Sequence, residues 1–174
     1  MKRLCIGILL TALVAGAIPA DSWYGIDGFT LSTPAGIRIE PTDEESEFLE
    51  FWFGRDEEAA VAGRLIESGG VLSDLDMAAI QGLSLVRAMG SGRADELESM
   101  ELLPHTTGAG VDGYFLTVTS SGGWHEAFIA DLGDTPGGAY GYLVVFPRQP
   151  GNRGRAYLDE LLEGLSIEVA EAAG

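Results

Sequence analysis

The sequence predicts an α+β domain, a mainly antiparallel sheet packed with helices, behind a cleavable leader. Three observations carry this. Two runs, Tyr114 to Thr119 and Trp124 to Ala130, alternate along their length and are joined by Ser120-Ser121-Gly122-Gly123, the signature of a β-hairpin. Tyr157, Leu158, Leu161, Leu162 and Leu165 fall at i, i+1, i+4, i+5 and i+8, a wide apolar helical stripe. The chain opens on Met1-Lys2-Arg3 followed by an uncharged run from Leu4 to Ile18.

That opening has the form of a secretory signal peptide, a positive n-region and then an apolar h-region. The run is short for a membrane span, which needs about 20 apolar residues. Small residues close it, and cleavage fits after Ala20 or after Ala17; an uncleaved N-terminal anchor is the alternative. Cys5 is the only cysteine and stands at the start of the run, so it is not placed for lipidation, and cleavage would leave a chain without thiol chemistry. The expected organisation is residues 1–20 as signal peptide and 21–174 as one α+β domain. The expected address is periplasmic or secreted, with no membrane association after cleavage.

Charge narrows the partners. Ten Lys and Arg face 27 Asp and Glu, a net −17, and loss of Lys2 and Arg3 with the leader takes it to −19. Such a balance repels phosphate backbones and anionic lipid heads, which excludes nucleic acid as an expected partner. Simple solubility, adaptation to salt and cation binding all remain open as reasons for it.

Taken in order, Phe29 to Ser32 reads as a strand, Pro34-Ala35-Gly36 as a turn, and Ile37 to Glu40 as a second strand. Pro41 to Glu47 is an acidic loop, and Phe48 to Phe53 a strand apolar on both faces. Asp56-Glu57-Glu58 predicts a helix start, with Val61, Ala62, Leu65 and Ile66 as its stripe and Gly69-Gly70 as its stop. Ser73, with Asp76 three residues on, predicts a second helix striped by Leu75, Ala79, Leu83 and Val86 and ended by Gly90 to Gly92. For Glu98 to Leu102 the pattern leaves strand and helical turn open. Asp131 to Gly138 reads as a loop, Tyr140 to Phe146 as a third meander strand, and Ser166 to Val169 as a short edge strand.

This order resembles the PsbP-like fold, the family of the photosystem II extrinsic protein. The resemblance rests on Phe29-Thr30-Leu31-Ser32-Thr33-Pro34-Ala35-Gly36, on Gly113-Tyr114-Phe115-Leu116, and on Tyr157 to Ile167 with its Leu-Ser-Ile ending. It implies an α/β/α sandwich and a binding or assembly role rather than catalysis, and it carries no specific residue across. The pair of helices expected between Asp56 and Gly90 departs from the simplest family pattern.

Motifs for chemistry are few. Gly108-Ala109-Gly110-Val111-Asp112-Gly113 matches GxGxxG, but a strand follows it where the dinucleotide fingerprint needs a helix, so it reads as a turn. His105 and His125 are too few for a zinc site without carboxylates brought to them; they read as a solvated loop residue and a strand residue on the less buried face. Ser120 and Ser121 lie in a glycine hairpin without a nucleophile motif. Asp43-Glu44-Glu45 with Glu47, and Asp131 with Asp134, offer oxygen donors without EF-hand spacing and read as solvated loops.

No catalytic, cofactor-binding or metal-ligating residue is therefore assigned, and no cofactor is expected. Trp23, Tyr24, Trp124 and His125 are candidate partner contacts, since aromatics near loops and termini anchor interfaces; Trp23 and Tyr24 equally suit pinning the N-terminal segment to the core. The expected function is an exported, non-catalytic binding or assembly protein acting on a protein partner in the cell envelope. The alternatives are a secreted hydrolase whose carboxylates are gathered by the fold, and a small-ligand or cation carrier.

Overall fold

The computed structural model describes residues 22–24, 29–41, 50–55, 58–88, 97–121, 123–134, 138–148 and 151–169. The elements run β1 (Ser22–Tyr24), β2 (Phe29–Ser32), β3 (Arg38–Pro41), β4 (Glu50–Arg55), β5 (Glu58–Ser68), α1 (Asp74–Ala88), β6 (Leu97–Thr106), β7 (Asp112–Ser120), β8 (Gly123–Asp134), β9 (Tyr140–Pro147), α2 (Gly151–Gly164) and β10 (Ser166–Val169). Among the described residues, two helices and two antiparallel sheets make a mixed α+β fold. The larger sheet has the order β3-β4-β5-β9-β8-β7-β6 and the smaller β1-β2-β10. The expected leader and the acidic segment Asp43 to Glu47 lie outside the described residues.

Strand alternation divides the core in two, one cluster per face of the larger sheet. On one face Val61, Leu65, Phe128, Ala130, Leu143 and Val145 pack against Leu158, Leu161, Leu162 and Leu165 from α2 and its exit, with Leu31 of the small sheet. On the other, Leu116, Val118, Ala127, Ile129, Tyr142 and Val144 pack against Met77, Ala78 and Leu85 of α1. The central strands β8 and β9 are buried on both faces and so read as near-continuous apolar runs.

Local signals place the turns. Gly36 takes a φ of 85°, and the Ile37 N–H donates to the Pro34 carbonyl at 3.1 Å, closing the expected Pro-Ala-Gly turn. Ser73 caps α1 as the spacing predicts: its Oγ accepts the Asp76 N–H at 3.1 Å, and its hydroxyl donates to the Asp76 carboxylate at 2.7 Å, where a full capping box would put the carboxylate on the Ser73 N–H. The GxGxxG segment is the β6–β7 hairpin, closed by the Thr107 N–H to the Val111 carbonyl at 2.9 Å with Gly110 at a φ of 85°.

Several expectations are corrected. The helix predicted from Asp56 is the strand β5, which β4 and β9 hydrogen-bond from either side. Val61, Ala62, Leu65 and Ile66 suit both periods: read by twos, Val61, Gly63 and Leu65 form one buried face. The α1 stripe is also displaced. Leu75 is 73% exposed and Leu83 is exposed, while Met77, Ala78, Gln81 and Leu85 face the sheet. The loop expected from Asp131 is in part strand, since β8 continues to Asp134 past an irregularity between Asp131 and Gly133. Glu98 to Leu102, left open between strand and helical turn, belongs to the strand β6, which runs on through His105.

Candidate binding surface

Helix α2 lies over β5, β8 and β9. On this side, among the described residues, β6 and β7 have no helix above them and form an uncovered shelf beside α2. Register assigns what the shelf presents. Leu103, Phe115 and Phe128 form one row across β6, β7 and β8; Glu101, Thr117 and Glu126 form the next; His105, Gly113 and Ala130 form the row on the other side.

Gly113 shapes the last of these rows. A Cβ there would collide with the Ile129 carbonyl oxygen and stand 2.8 Å from Phe128 Cζ, so the missing side chain is what admits the Phe128 ring. His105 then meets Phe115 and Phe128 edge-on, at centroid distances of 5.6 and 5.8 Å. His105 is exposed as expected, but it is a strand residue held against two phenylalanines, not a loop residue.

Arg155 forms the wall where α2 meets the shelf. Its guanidinium carbon sits 4.3 Å from the Phe115 ring centroid, a cation–π contact. Its Nε donates to Asp159 at 2.7 Å, and its Nη1 donates to Glu126 Oε1 at 2.7 Å. Glu126 is only 8% exposed, and its Oε2 is buried without a hydrogen-bond partner among the described residues. Burial raises the Glu126 carboxyl above its ordinary value of 4.5, against the opposing pull of Arg155.

Two apolar side chains on the shelf reach solvent, Leu103 at 53% exposure and Trp124 at 36%. Trp124 thus stands where a partner could touch it. His125, its neighbour, points to the opposite face and is buried at 8% exposure, so the expectation of a less buried face is corrected: period-2 alternation separates the pair. Burial lowers the His125 pKa below 6.5. Trp23 and Tyr24 lie in β1 opposite Leu31 and Thr30, and their side chains are outside those described. Leu103, Phe115, Glu126 and Arg155 escaped the sequence reading. The one signal that could have pointed to any of them is the i, i+4 spacing of Arg155 and Asp159.

Elsewhere, a small open cleft is lined by Ile37, Phe53, Gly54, Val61, Tyr157, Glu160 and Leu161, and Glu126 is not among its lining residues. Asp131 is occupied locally: one oxygen accepts the Gly133 N–H at 3.0 Å, and the other accepts the Tyr140 hydroxyl at 2.9 Å, a bond that pushes Tyr140 up to about 12. Among the described residues no group of three His, Cys, Asp or Glu is placed to hold a metal ion, and no helix is long and apolar enough to cross a membrane. No protein-family model matches the chain, and comparison with curated proteins finds no match.

Proposed function

We propose that this is an exported binding or assembly protein that acts through a protein partner, with the shelf beside α2 as its contact surface. One observation carries the reading: the shelf exposes Leu103 and Trp124 on a floor of strands while Arg155 and Glu126 hold its wall in place. Apolar anchors on a rigid element are what a partner surface requires. The leader-like N-terminus supports export to the periplasm or medium, and a helix on each face of an antiparallel sheet is compatible with a PsbP-like arrangement. A hydrolase would set its raised carboxylate in a substrate cleft. Glu126 is instead clamped by Arg155 and stands apart from the apolar cleft, which favours binding over catalysis.

The test is capture from an envelope extract of the host, using the C-terminally tagged full chain and its Leu103→Asp variant. One reproducible partner retained by the wild type and lost by the variant is expected. A partner retained equally by both removes the shelf from the reading, and the absence of any partner at low and high salt overturns the reading itself.

A further inference from the structure

We propose that the outer edge of β6 takes an extended, basic segment of the partner as an added strand. This deepens the binding reading and rests on it. β6 is the last strand of the larger sheet, spans Leu97–Thr106, and pairs on one side only with β7 among the described residues. An open edge is a row of backbone donors and acceptors with the spacing of a missing strand.

The hairpin bond sets which groups point outward. Because the Thr107 N–H donates to the Val111 carbonyl, the bonded pairs step by two along the ladder through His105, Leu103 and Glu101. The backbone groups of Met100, Leu102, Pro104 and Thr106 therefore face away from β7. Pro104 is tolerated at that phase because its absent N–H costs no ladder bond. The edge left to a partner has four carbonyl acceptors against three N–H donors.

Charge chooses the occupant. β6 carries Glu98 and Glu101, both exposed, and no Lys or Arg. A second copy of the chain, at −17 each, would set glutamate-bearing edges against one another. A strand with alternating basic and apolar residues does the opposite. Its basic residues would share the face of Glu101, and its apolar ones the opposite face, beside the partly buried Met100 and Leu102.

The probe is a fluorescent peptide of alternating lysine and valine, matched in length to β6, titrated against the full chain at physiological salt. The same peptide N-methylated throughout keeps the charge but loses every backbone donor. Strand addition predicts binding that weakens about tenfold or more on N-methylation, slower hydrogen exchange at the Leu102 and Thr106 amides, and loss of affinity in Glu101→Lys and Thr106→Pro. Equal binding of the two peptides, or unchanged exchange at those amides, overturns it, since attraction to an acidic surface alone would give both. Thr106→Pro separates this from the broader reading. An envelope partner captured equally by wild type and Thr106→Pro sinks strand addition and leaves the binding function standing. Peptide addition without any captured partner sinks the function instead.

Discussion

His125 and Glu126 are neighbours buried on opposite faces of β8, and burial acts on them with opposite sign. His125 is harder to protonate folded than unfolded, so the unfolded chain binds more protons just below pH 6.5. Its contribution to stability therefore falls as pH drops from 6.5 through its lowered folded value. A His125→Gln variant should show a flatter melting temperature across that interval than the wild type. Glu126 has a raised folded pKa, so ionised Glu126 carries a stability cost above that value, and the cost is relieved as pH falls toward 4.5. Glu126→Gln should melt at or above the wild-type temperature at pH 7, and the difference should close near pH 4.5. A melting series at stepped pH reads both, and a Glu126→Gln difference independent of pH would contradict the burial argument. Neither sign was legible in the sequence, where alternation put His125 on the less buried face and marked Glu126 for no role. The Arg155 that partners Glu126 lies 29 residues away.

Among the elements, the β7–β8 pairing depends most on one absent side chain. Gly113→Ala places a methyl against the Ile129 carbonyl, where backbone must move. The variant should lose about 1–3 kcal/mol in chemical denaturation and loosen the packing of His105 on Phe128. An unchanged denaturation midpoint would mean that the two strands separate at no cost. The same scale explains which elements were readable. α2 was, because Leu158, Leu161, Leu162 and Leu165 satisfy only a helical period and all four are buried. β5 was not, because Val61 and Leu65 lie four apart, a spacing on one face of a helix and also of a strand. α1 was recognised by its Ser73 cap, but its inward face was misassigned: Leu75 and Leu83 are more apolar than the Ala78 and Gln81 that face the sheet. Hydrophobicity alone picks the greasier side of a helix, while close approach to a sheet favours the smaller one.

Across the whole molecule, a chain at −17 has fewer basic residues than it needs to pair its acids. Self-repulsion between exposed carboxylates should be relieved as the Debye length shrinks from about 30 Å at 0.01 M salt to about 3 Å at 1 M. The melting temperature should rise along that series, as scanning calorimetry would show; a fall would place the dominant electrostatic contribution in attractive pairs such as Arg155 with Glu126 and Asp159. Net charge is legible in the sequence because it is a sum. So are the α+β class, the meander of β7, β8 and β9, the Pro-Ala-Gly turn, the α1 cap and α2, because each depends on residues close together in the chain. Tertiary structure alone decided that β5 is a strand between two others and that α1 and α2 take opposite faces. It also decided that β6 ends the sheet among the described residues and that Leu103, Phe115, Trp124, Glu126 and Arg155 share one shelf. Those facts follow from strand order and register, which bring together residues far apart in sequence and which no local period encodes.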